Sequence, residues 1–110
     1  MTVLTFAHAQ DFLKNDMPFS TARRLILKNG WKPLSLSPSD PSTGRGTQEA
    51  VLRKKGIREV DTCSVDAGGL CNFIYQRNEH CLRVSTRGER LIYMRVIDWE
   101  VLQQCPGKGS

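Results

Sequence analysis

The run from Cys63 to Cys71, Cys-Ser-Val-Asp-Ala-Gly-Gly-Leu-Cys, limits what this chain can fold into more than any other stretch. A strand-like segment, Ile57 to Thr62, leads into it, and Cys71-Asn72-Phe73-Ile74-Tyr75-Gln76 leads out. Two extended runs joined by a glycine-containing loop make a hairpin. A cysteine at each lip of the loop lets a disulfide staple it. In the loop-closure model such a bridge removes unfolded-chain entropy worth about 2.5 kcal/mol. Against a total domain stability of roughly 5–15 kcal/mol, that is a large share. The hairpin is therefore expected at the centre of a small sheet.

From Ile57 onward the apolar period is two. Cys71, Phe73 and Tyr75 share one face, which is assigned to the core. Arg77-Asn78-Glu79 reads as a turn. Cys81 to Thr86 follows as a third strand, with Leu82 and Val84 inward and Cys81, Arg83 and Ser85 outward. After the turn Arg87-Gly88-Glu89, Arg90 to Val101 reads as one long strand. It is apolar on both faces near its middle, so it is expected to be central or covered on both sides.

Ahead of the hairpin the pattern is helical. Phe19, Ala22, Leu25 and Ile26 recur at helical spacing over Pro18 to Asn29. Asp16 is the expected N-cap, Pro18 suits a first turn, and Gly30 is the expected left-handed stop. Trp31 is expected to fold back over the helix end as a core residue. A shorter helix is expected over Gln48 to Lys55, capped by Thr47, ended by Gly56 and burying Ala50 and Val51. Between the helices, Ser35 to Gly46 is a loop on composition, rich in serine, proline and glycine.

Helix, extended piece, helix and then a meander predict an α+β fold: two N-terminal helices packed on an antiparallel sheet of about four strands. The 110 residues suffice for one domain. Its expected bounds are 16–104, with a tail at 105–110 and a separate N-terminal segment at 1–15. Within that segment, Ala7-His8-Ala9 followed by Gln10 matches a signal-peptidase site, although a basic leader region is missing. No run approaches the ~18 apolar residues needed to span a bilayer.

Four cysteines without a C-x-x-C spacing favour disulfides over zinc or thioredoxin-like chemistry. Cys63 and Cys71 form the local pair. Cys81 and Cys105 are left to pair with each other, to stay free or to bridge two chains. A metal set drawn from Cys63, Cys71, His80 and Cys81 has the right ligand types for zinc but no recognisable spacing, and no metal or cofactor is expected. Adjacent His80 and Cys81 point to opposite faces of a strand, which removes them as a catalytic dyad. Glu59 and Asp61 read as the solvated side of a strand. Gly68-Gly69 reads as positive-φ loop chemistry rather than an anion nest. No catalytic residues are expected.

The formal charge is +5. Arg53, Lys54, Lys55 and Arg58 cluster after the second helix, and Arg83, Arg87, Arg90 and Arg95 lie on the last strands. If they converge beside an exposed Tyr75 or Tyr93, a single-stranded nucleic acid is a conceivable ligand. Glu59, Asp61, Glu79 and Glu89 interrupt the patch, and no RNA-recognition signature is present.

The segments Asn29-Gly30-Trp31-Lys32-Pro33, Gly56-Ile57-Arg58-Glu59-Val60-Asp61-Thr62-Cys63-Ser64 and Cys71-Asn72-Phe73, with Trp99 near the end of the last strand, resemble a group of small exported bacterial proteins of unknown function. The likeness covers roughly Pro18 to Trp99. It implies export and a disulfide, and brings no catalytic residues. Val65-Asp66-Ala67 departs from the glycine expected there, and Cys81 and Cys105 are additions.

The function expected on these grounds is a non-enzymatic binding module, periplasmic or secreted, that recognises a protein or an envelope component. A nucleic-acid module in the cytoplasm and a small enzyme with an unrecognised site are the alternatives. A homodimer through the last strand is a further expectation, since a long apolar edge can pair with a second copy.

Overall fold

The computed structural model describes residues 11–35, 47–64 and 68–106. The signal-like Ala7-His8-Ala9 stretch, the loop from 36 to 46 and Val65-Asp66-Ala67 fall outside them. Over the described residues the fold is α+β, with two helices on one face of an antiparallel sheet.

Helix α1, Phe19–Lys28, buries Phe19, Ala22 and Ile26, and Phe19 stacks on Phe73 with ring centroids 4.2 Å apart. Its end is a Schellman arrangement. Trp31 N–H donates to the Ile26 carbonyl at 3.2 Å and Gly30 N–H to the Leu27 carbonyl at 3.1 Å, with Gly30 at φ +90°. Trp31 is thereby turned under the helix, buried, with the Arg77 guanidinium 4.5 Å over its ring.

The expected Asp16 cap is not made. Pro18 occupies the N-cap position without a side-chain hydrogen bond, and Asp16 sits in a left-handed turn at φ +70°. The reason is tertiary. Asp16 N–H donates to the Val96 carbonyl, Val96 N–H to the Met17 carbonyl, and Phe19 N–H to the Met94 carbonyl. The segment is laced to a distant strand and is not free to cap.

Helix α2 is Gln48–Lys54, capped by the Thr47 hydroxyl, which accepts from Ala50 N–H. Its buried residue is Leu52. Ala50 is half-buried, and Val51, expected inside, is 44% exposed. Two contacts fix that rotation. Glu49 Oε2 accepts from Cys63 N–H at 2.8 Å, and Gln48 Nε2 donates to the Gly88 carbonyl at 2.8 Å. With Glu49 and Leu52 turned inward, a 3.6-residue period carries Val51 off the buried face, about 160° from Glu49 and beside Gln48.

Among the described residues the sheet has five strands rather than about four. β1 (Lys32–Pro33) and β2 (Val60–Cys63) lie end to end on one side of β3 (Cys71–Arg77). β1 lies between the helices in the chain, so the two helices do not both precede the strands. β3 pairs with β4 (His80–Arg87), in the register Phe73 to Val84 and Tyr75 to Leu82, and β4 with β5 (Arg95–Leu102).

The last strand is shorter than its sequence suggests, and it is marginal rather than central. Leu91–Tyr93 forms a 3-10 turn and β5 starts only at Arg95, paired on one side with β4. Gly88 explains the break. At φ +135° it lets the chain double back so closely that an added Cβ would lie 2.7 Å from the Tyr93 carbonyl oxygen. Met94 and Val96 are then buried, while Ile92 and Tyr93 are left outside at 72% and 63% exposure.

The main core joins α1, α2 and the inward residues Phe73, Tyr75, Leu82, Val84, Met94 and Val96. A second, small cluster of Ile74, Cys81 and Cys105 lies on the outer face, with Leu34 and Leu102 packed against it. Cys81 points outward, as its place in the strand requires, yet it is fully buried because the chain after β5 folds over it.

Candidate functional site

All four cysteines are bridged. Cys63–Cys71 joins β2 to β3 across a directly paired position, with the Cα atoms 4.0 Å apart. Cys81–Cys105 fastens the chain end to β4 with a Cα separation of 5.2 Å. The bridges take Cys63, Cys71 and Cys81 as thiolate donors away from His80, and among the described residues no group of three His, Cys, Asp or Glu side chains is placed to hold a metal ion. Gly69 serves a close approach: an added Cβ would lie 2.8 Å from the Gly88 carbonyl oxygen. The Gly68 carbonyl accepts from Gly88 N–H at 2.8 Å, so the hairpin loop rests on the β4–β5 turn.

The basic residues divide between two sides of the sheet. Arg83 projects from the outer face and is held by Asp98 at 3.0 Å and Glu100 at 2.8 Å. It also donates to Ser85, whose hydroxyl donates to Asn72. Burial lowers the Arg83 pKa, but its hydrogen bonds to Glu100 and Asp98 outweigh that and raise it overall. Arg53 is half-buried, with its guanidinium 3.4 Å from the Val60 carbonyl. Lys54, Lys55, Arg58, Arg87 and Arg90 are exposed, and Arg95 donates to the Asp16 carbonyl at 3.1 Å. Among the described residues, Lys55 and Arg90 of the expected set line one concavity. Tyr75 is buried, and Tyr93 is the exposed tyrosine.

That concavity lies between α2 and the 3-10 turn and has a volume of about 430 Å³. Val51 and Lys55 stand on one wall, Arg90 and Ile92 on the other, with Leu52 and Leu91 between them. Gln48 anchors the walls to each other through Gly88. The described residues lining it include no hydroxyl, thiol or imidazole side chain. It offers apolar contact and, with Lys55 and Arg90 against the single carboxylate of Glu89, a small excess of positive charge. A second hollow of about 280 Å³, lined by Arg23, Arg24, Leu27 and Ile57, shares Leu91 with the first.

Beneath the second hollow lies a buried ion pair. Arg23 Nε is 2.5 Å from Glu59 Oε2, and Nη2 is 3.2 Å from Oε1. Glu59 is fully buried, against the expectation of a solvated strand face, because it precedes β2 in a turn that α1 covers. The hydrogen bond to Glu59 raises the Arg23 pKa. The Tyr75 hydroxyl is buried near the pair without a hydrogen bond of good geometry. Burial, and after it the charge of Glu59, push the Tyr75 pKa well above its ordinary value.

Sequence reasoning missed Glu59, Val51 and Ile92. Period-two alternation gives no sign of a buried carboxylate. Val51 and Ile92 are ordinary apolar residues until the fold leaves them outside on facing walls. Comparison with protein-family models, curated proteins and solved structures found no match.

Proposed function

We propose that this chain is a non-enzymatic binding module that seats a segment of another protein in the cleft between α2 and Leu91–Tyr93. The observation that carries this is the exposure of Val51 and Ile92, at 44% and 72%, on opposite walls of one cleft. Large apolar side chains grouped around a concavity are how polypeptide segments are anchored. Two disulfides support placing the module in an oxidising compartment, periplasmic or secreted. No described helix is long and apolar enough to cross a membrane.

A nucleic-acid reading loses Arg83, which Asp98 and Glu100 neutralise on the outer face. Pairing of β5 with a second copy is not favoured either. In an antiparallel register centred on Trp99, Asp98 would face Glu100 of the other copy, and like charges directly opposed destabilise a strand pair.

Site-specific photocrosslinking in the producing cell tests the proposal. A photoreactive residue at position 92 is expected to give a discrete protein adduct that Val51→Glu removes, and one at position 62 is not. Adducts formed at position 62 but not at 92 would overturn it.

A further inference from the structure

We infer that the occupant of this cleft is an acidic amphipathic segment of a partner polypeptide, an inference that rests on the cleft being the recognition surface. The first ground is the distribution of uncompensated charge. Arg23 is held by Glu59, and Arg83 by Asp98 and Glu100. Lys55 and Arg90 in the first hollow and Arg24 in the second have no carboxylate partner among the described residues. Glu89 is the single acid lining either hollow among those residues. The track across Leu91 is therefore apolar along its floor and positive along its rim. A ligand that fits must reverse that pattern, with apolar side chains on one face and carboxylates beside them.

The second ground is what the chain itself has to offer. Residues 1–10 and 107–110 contain no Asp or Glu, residues 36–46 contain Asp40 offset by Arg45, and residues 65–67 are three residues with one acid, Asp66, so none of these segments supplies an acidic amphipathic stretch. A second copy carries the same formal charge of +5, so its approach is opposed at long range. A different polypeptide is the occupant that fits this pattern. Ile92 and Val51 are its apolar anchors, and Lys55, Arg90 and Arg24 steer and orient it. Steering by exposed cations predicts salt-sensitive association.

The test is a selection from a displayed random-peptide library against the oxidised full-length chain, counterselected with the Ile92→Glu variant. Enriched peptides are then made synthetically and titrated by fluorescence anisotropy. The expected result is net-negative peptides with apolar residues at helical spacing. Their affinity should fall about tenfold or more in both Ile92→Glu and the double variant Lys55→Glu/Arg90→Glu, and should weaken as salt rises. Enrichment of neutral or basic peptides that still depend on Ile92 would overturn the acidic class and leave the cleft as the recognition surface. Peptides indifferent to Ile92→Glu would remove the cleft reading, and this inference with it. Pelleting with phosphatidylglycerol vesicles, lost in Ile92→Glu and without any cleft-dependent peptide, would assign the surface to an anionic membrane instead.

Discussion

Arg23 and Arg83 meet carboxylates at comparable distances on the two faces of the sheet. The first pair lies under α1, with Glu59 fully buried. The second lies in the open, with Asp98 and Glu100 64% and 57% exposed. Water screens the outer group, and little free energy depends on it. Glu59 has no water to return to, so losing Arg23 strands its charge in the core, whereas Arg23 is 25% exposed and reaches the second hollow. The contact geometry is similar and the dielectric surroundings are not. The difference divides the molecule into a face where polar chemistry holds the fold and a face where it decorates it.

The sharpest way to break that division is Arg23→Ala. It should cost about 3–5 kcal/mol, read as a fall in the urea midpoint, because the fully buried Glu59 is left without its partner. A loss below about 1 kcal/mol would put the two pairs on one footing. The next largest effect is expected from the outer face. Cys105→Ser removes a 24-residue separation bridge worth about 3.5 kcal/mol in the loop-closure model, and uncovers Ile74. Binding of a hydrophobic dye alongside the loss of stability would show that the bridge, rather than the Arg83 cluster, secures that face.

Tyr75 sharpens the comparison through pH. Its folded pKa is raised, so above about pH 10 the unfolded chain releases this proton and the folded chain retains it. Stability is then complete below that pH and is lost as pH rises further. Tyr75→Phe should match the parent at pH 8 and exceed it at pH 11 in denaturant midpoint. Equal alkaline losses in both would remove Tyr75 as the cause. The smallest effect is expected for Arg83→Ala, at about 0–1 kcal/mol and diminishing as salt rises.

Much of the fold was legible because its signals are local. The β3 and β4 faces follow from period-two alternation, and α1 from its apolar stripe and Gly30. The cysteine at each lip of the hairpin loop is a feature of one short stretch. What was not legible depends on partners far along the chain. The Leu91-Ile92-Tyr93-Met94 run has strong strand propensity, yet the close return at Gly88 bends it into a 3-10 turn. Asp16 has the chemistry of a cap, yet the edge of β5 claims its backbone. The candidate cleft was hidden for the same reason. Its walls are tied by a hydrogen bond between Gln48 and Gly88, 40 residues apart, and nothing in either neighbourhood announces the other.

The lacing of Asp16–Phe19 to the start of β5 has a consequence for how the molecule is made. The two ends of that seam are separated by 79 residues, from Asp16 to Arg95. On the ribosome, the helix that opens the domain emerges first and must wait for its anchor until the final strand has been translated. Contacts this far apart in sequence slow folding, because loop-closure entropy is lost before they form. Assembly is therefore expected to close late, as a clasp rather than a progression. A translation product stopped before Arg95 would hold the central hairpin but lack the strand that aligns α1.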